Sequence, residues 1–107
     1  MRYWSRTWKA LPAKAMAVFP FMIFKDASQK RNLLLINHEK IHFKQQLELL
    51  IIPFYILYLS NYLVNLIKFR SHSKAYYNCC FEKEAYANDS NFEYLQQRKP
   101  YAWIKYL

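Results

Sequence analysis

Two histidines stand four positions apart around a glutamate in His38-Glu39-Lys40-Ile41-His42. On an α-helix, residues i and i+4 lie one above the other on one face, so both imidazoles can address one tetrahedral ion at about 2 Å. Glu39 is offset by one position, which brings its carboxylate toward a water beside the ion and not to the ion itself. A zinc ion lowers the pKa of such a water toward neutrality, and Glu39 can take its proton as it attacks a carbonyl. The expected centre is one Zn2+, with His38 and His42 as ligands and Glu39 as general base. The competing reading is a solvated helix face on which the three side chains are unrelated.

A catalytic zinc site takes a third protein ligand, either a histidine shortly downstream or a glutamate from a later helix. The first option requires HExxHxxGxxH, but Phe43-Lys44-Gln45-Gln46-Leu47-Glu48 supplies neither glycine nor histidine. The second has a candidate in Phe81-Glu82-Lys83-Glu84-Ala85-Tyr86-Ala87-Asn88-Asp89. Four of the seven acids, Glu82, Glu84, Asp89 and Glu93, fall within this stretch and its flank, and such a cluster in a basic chain calls for a cation. Glu82 and Glu84 are about 200° apart on a helix, so only one can face the metal. Glu82 is preferred, because Phe81, Ala85, Phe92 and Leu95 then form a neighbouring packing face; Glu84 stays as the alternative.

The pairing of His38-Glu39-x-x-His42 with Glu82-x-x-Ala85 resembles the gluzincin metallopeptidases, especially the membrane-associated group whose second motif reads Glu-x-x-Ala-Asp. It is also similar to short bacterial HExxH proteins with a Phe-Glu-x-Glu-Ala-Tyr-Ala second motif. The likeness covers two short segments. It implies a zincin-like helical core, His38, His42 and Glu82 as zinc ligands, Glu39 as general base, and a peptide or protein substrate. Tyr86 stands where that group carries the aspartate that orients a ligand histidine. Its hydroxyl, one turn after Glu82, is expected to serve a ligand histidine or a substrate oxyanion, which makes Tyr86 a second catalytic candidate. Asp89, seven residues after Glu82, lies on the same face and is the candidate for the missing aspartate's task.

Other residues take ordinary roles first. His72, between Arg70 and Lys74, reads as a solvent-exposed histidine. The adjacent Cys79 and Cys80 suit neither a disulfide clasp nor a spaced metal pair, and read as reduced, small, buried hydrophobes on the cytosolic side. Tyr76 and Tyr77 are expected to pack by default, with lining of the cleft as the alternative. Asn37 has no evident role.

These residues need a scaffold, and 107 residues are enough for one domain, 1–107, with a modest core. The expected fold is mainly α, with a short N-terminal strand or hairpin. Met16–Lys25 (MAVFPFMIFK) reads as a strand interrupted or started at Pro20, and Lys25–Asn32 as a polar turn. Helical spacing runs from about Leu33 through the motif to about Leu50. Leu49–Ile67 is then a run of 19 uncharged residues, at the lower limit for crossing a bilayer. Pro53 should bend it near its start. It is either a kinked core helix or helical hairpin, or a membrane-embedded or interfacial segment with Tyr55, Tyr58 and Tyr62 near the headgroups; basic residues at both ends give no orientation. A third long helix is expected over Ala75–Gln97, followed by an aromatic tail from Pro100. There is no glycine, so positive-φ turns must fall to other residues.

The formal charge of +9 favours anionic partners such as lipid headgroups or nucleic acid. No secretory signal is recognisable at the N-terminus, which points to a cytoplasmic or membrane-associated location. Three functions follow in order: a zinc metallopeptidase; a non-catalytic, zinc-stabilised membrane-associated scaffold; and a basic nucleic-acid binder using Arg2, Trp4, Arg6, Trp8 and Lys9. Self-association stays open.

Overall fold

A computed structural model of the protein describes residues 3–107. Among them, Trp4–Thr7 (β1), Ala15–Val18 (β2) and Phe21–Phe24 (β3) form a small mixed sheet in the order β1-β3-β2. β2 runs antiparallel to β3 and β1 runs parallel to it. Of the two forms expected for Met16–Lys25, the hairpin is found: Phe19 and Pro20, joined by a cis peptide bond, make its turn. β1 is a strand that the mixture of Trp and Arg side chains did not announce. The expected polar turn after Lys25 is a 3-10 helix over Ala27–Arg31, opened by Asp26, whose carboxylate accepts the Ser28 N–H at 2.9 Å.

Leu33–Leu49 (α1) starts where the Asn32 side chain accepts the Leu35 N–H at 3.2 Å, a satisfied N-cap. It is the central element, packed against β2, α2 and α4, and it buries Asn37, His38, Glu39, Ile41, His42, Phe43, Gln45 and Gln46. Six of these eight are polar, so no clean apolar stripe marks the helix; Asn37, His38, His42, Gln45 and Gln46 each find a hydrogen-bond partner. Gln46 accepts the Phe19 N–H at 2.8 Å and donates to the Ala17 carbonyl at 2.8 Å, fastening α1 to the hairpin. Asn37 donates to the carbonyls of Asp89 and Asn91 at 2.8 and 3.1 Å, fastening the other end to the chain after α4.

α1 stops at Leu50, whose φ of 64° and ψ of 160° take the backbone out of the helix. Ile51–Phe69 (α2) follows. Pro53 sits in its first turn, where a missing N–H interrupts no helical bond, so the corner falls at Leu50 and not at the proline. The expected third long helix is instead three: His72–Tyr77 (α3), Cys80–Asn88 (α4) and Tyr94–Gln97 (α5). The first break comes at Asn78 and the extended Cys79, where Asn78 donates its side-chain amide to the Lys74 carbonyl and Asn61 of α2 accepts the Cys80 N–H at 2.7 Å. That bond satisfies one of the orphan donors at the start of α4, which makes the break affordable locally. The tail coils into a 3-10 turn over Ala102–Tyr106.

Two apolar clusters flank α1. One joins Ala15, Ala17, Met22 and Phe24 of the sheet to Phe43. The other joins Phe54 of α2 to Cys79, Cys80, Phe81 and Trp103. Both cysteines are buried and free, as small hydrophobes.

Candidate metal centre

α1 and α4 cross so that His38, His42 and Glu82 meet between the two clusters, all three buried. One carboxylate oxygen, Glu82 Oε1, lies 3.1 Å from His38 Nε2 and 3.1 Å from His42 Nε2. The three candidate ligand atoms fall within 4.8 Å of one another, a spread that one ion can bridge. The cluster can therefore hold a metal ion. Glu82 Oε2 accepts the Tyr58 hydroxyl at 2.6 Å, a contact that the sequence did not suggest.

The far nitrogen of each histidine is also held. His38 Nδ1 lies 3.0 Å from Asp89 Oδ2, so Asp89 does occupy the place expected for an orienting aspartate. His42 Nδ1 lies 2.8 Å from Gln45 Oε1. Both partners are acceptors, which puts the proton of each neutral ring on Nδ1 and the lone pair on Nε2, toward Glu82.

Tyr86 does not serve the histidines through its hydroxyl. Its ring packs edge-on against His38, with centroids 4.4 Å apart, and its hydroxyl pairs with that of Tyr76 at 3.0 Å. The carboxylate at His38 Nδ1 is that of Asp89. Glu84 points elsewhere, into a buried fork with Arg98, which also binds Glu48 at 2.8 and 2.9 Å. Glu84 further accepts from Tyr94 and Gln45, so the acid cluster is divided between the histidines and an arginine. Glu93 is exposed.

Burial alone would depress the His42 pKa, but the adjoining Glu82 carboxylate outweighs it and lifts the value to about 10 in the metal-free protein. Burial raises the Glu82 carboxyl, and the two histidines with Tyr58 more than reverse this, holding it well below the usual range. Glu39 goes the other way: burial pushes its carboxyl up, against the lowering by His42 and His38.

Glu39 lines two cavities of about 360 and 380 Å³ that share it, Ala13, Ala15 and Tyr76 as a common wall. The first contains His42 and Glu82 and is walled by Met16, Phe54, Tyr55, Tyr58 and Leu59. The second contains His38 and Asp89 and is edged by Lys14, Asn32 and Tyr77. Tyr76 and Tyr77, for which packing is the first expectation and cleft lining the alternative, border the cleft. His72 is exposed and pairs with the Tyr62 hydroxyl at 2.7 Å. Trp4, Arg6, Trp8 and Lys9 are exposed around β1, while Arg2 lies outside the described residues.

No protein-family model, curated protein or solved structure matches the chain.

Proposed function

We propose that the protein is a minimal zinc-dependent metallopeptidase of the gluzincin kind, with His38, His42 and Glu82 as ligands and Glu39 as general base. The observation that carries this reading is the single Glu82 oxygen at 3.1 Å from both Nε2 atoms, with both Nδ1 atoms tied to acceptors. Two imidazoles and one carboxylate are a donor set that suits zinc, and three protein ligands leave a fourth position for water or substrate. Bound there, zinc supplies Lewis acidity that polarises a carbonyl and makes water nucleophilic at neutral pH.

The chain's own residues divide the remaining work. Glu39 is buried with a raised pKa, which suits a base that must accept a proton near neutrality and pass it to the leaving amine. Tyr86 and Tyr76, whose hydroxyls meet beside His38, are the donors at hand for a developing oxyanion. The edge strand β2 borders both cavities and offers backbone to an extended peptide. Its grip is short. The Ala17 carbonyl already accepts from Gln46 and Tyr55 at 2.8 and 2.7 Å, and strand alternation leaves Ala15 as the next residue facing the open edge. The apolar walls of the first cavity suit a bulky apolar side chain on the His42 side of the cleaved bond.

The working location that fits best is a membrane surface. α2 is long and apolar enough to cross a bilayer, and only 11% of its apolar window is buried in the protein. Its facing is inverted: Tyr58, Asn61, Tyr62 and Asn65 turn toward the protein, where they bond to Glu82, Cys80, His72 and Ala75. Ile52, Ile56, Leu59, Leu63, Val64 and Ile67 turn out, with Ile52 74% and Ile67 79% exposed. Ser60 on the outer side returns its hydroxyl to the Ile56 carbonyl at 2.7 Å and so requires no water.

Metal analysis tests the reading. About one zinc per chain is expected in wild type and in Glu39→Gln, with peptide hydrolysis abolished in the latter; Glu82→Ala should lose the zinc. Zinc held unchanged by Glu82→Ala removes the third ligand, and zinc without any Glu39-dependent hydrolysis leaves the scaffold. Flotation with lipid vesicles tests the location: a protein that stays in the aqueous fraction contradicts it.

A further inference from the structure

Gln45 is fully buried, lies three residues after His42 on α1, and makes three hydrogen bonds. Its Nε2 donates to the Phe81 carbonyl at 3.0 Å and to Glu84 Oε1 at 3.0 Å; its Oε1 faces His42 Nδ1 at 2.8 Å. Turning the amide round would set its oxygen against two acceptors, the Phe81 carbonyl and Glu84 Oε1, and exchange two donated hydrogen bonds for at most one, to His42 Nδ1. Glu84 cannot relax this constraint, since it is itself held by Arg98 at 2.5 and 3.0 Å and by the Tyr94 hydroxyl at 2.7 Å. Arg98 in turn is clamped on both oxygens of Glu48, back on α1.

We propose that Gln45, oriented by Glu84 and Arg98, is a positioning residue that fixes the proton of His42 on Nδ1 and so presents Nε2 to a metal. The inference rests on the zinc reading above and adds a residue to it outside the HExxH pattern. A neutral amide with no anchor could face a histidine either way round, as donor or acceptor. Here the buried ion pair, on the side of Gln45 away from the site, removes that freedom. The two ligand histidines are then set differently: His38 against a carboxylate, His42 against an amide whose direction is imposed from behind.

Two measurements test it, with zinc itself as the probe. In zinc-loaded wild type, nitrogen-15 NMR should find His42 protonated at Nδ1, with that proton in slow exchange and close to Gln45; metal at Nδ1 overturns the proposal without any variant. Gln45→Met, close in length but without polar atoms, should weaken zinc binding by about 10–100-fold and lose the slow-exchanging His42 proton while keeping that of His38. A merely structural Gln45 predicts lower thermal stability with zinc affinity unchanged in the folded protein, and that result also overturns it. If wild type takes up no zinc, the metal reading fails and this inference with it; if wild type binds zinc and Gln45→Met binds as tightly, only the role of Gln45 falls.

Discussion

Removing the Arg98 guanidinium isolates what closes the helical half of the protein. The side chain is 3% exposed and sits between Glu84, 0% exposed, and Glu48, 14% exposed. Arg98→Leu leaves the Glu84 carboxylate without a countercharge, though Tyr94 and Gln45 still donate to it. Breaking a buried pair by removing one partner costs about 3–5 kcal/mol, and the two surviving neutral donors place this case near ~3 kcal/mol. For a domain of about this size that corresponds to a fall in Tm on the order of 10–20 °C. The loss should depend on pH. In wild type, burial raises the Glu84 carboxyl, and Arg98, Gln45 and Tyr94 reverse this to a lowered pKa, so its contribution is present above the ordinary carboxylate value of 4.5 and fades as pH falls through the lowered one. In the variant the unpaired carboxyl should titrate above its ordinary value and be relieved by protonation, so the gap should be widest at neutral pH, narrow on acidification toward the ordinary value and narrow further only as pH falls through the lowered wild-type pKa. Denaturant unfolding of the metal-free protein at pH 7 and pH 4, followed by the fluorescence of the buried Trp103, measures it. A loss under about 1 kcal/mol at pH 7, or a gap that does not narrow on acidification, would refute the argument.

Zinc affinity should rise with pH. The proton that Glu82 keeps on His42 up to about pH 10 must leave before Nε2 can bind, so the apparent constant should climb about tenfold per pH unit through neutrality, with proton release visible in buffer-dependent calorimetry. The metal-free fold shows the complementary trend: the raised His42 pKa gives stability that is complete below about 6.5 and is lost as pH rises toward 10. Asp89→Ala should weaken zinc about 10–100-fold through its loss from His38 Nδ1, as read by competition with a chelating dye. Leu50→Gly should stabilise the protein by roughly 1 kcal/mol, because φ 64° with ψ 160° is a conformation that a β-carbon opposes; a drop in Tm would contradict that.

Much of the site was legible because its parts are local. The i, i+4 histidines carry their own geometry, and Glu82 in the first turn of α4 and Asp89 at its C-cap keep the helical spacing. α1 and α2 came within two residues of their expected ends because one has a capping asparagine and the other an uncharged run closed by Lys68. What escaped depends on contacts across the chain. The break at Cys79 is stabilised by Asn61 of another helix, so Ala75–Gln97 looked continuous. β1 exists by pairing with β3, and four residues of Trp, Ser, Arg and Thr show no alternation to reveal it. Glu84 looked like a rival ligand because Arg98, 14 residues on, is invisible as its partner until the tail folds back. Gln45, Gln46 and Asn37 are polar residues in the middle of a helix, a position where sequence pattern predicts solvent; their burial follows from acceptors that α4 and β2 bring to them.

The Glu82 oxygen shared between two imidazoles has a consequence for how the centre fills and empties. The proton that Glu82 holds on His42 and an incoming ion claim the same Nε2 atom, so loading is an exchange of one cation for another between side chains already drawn together.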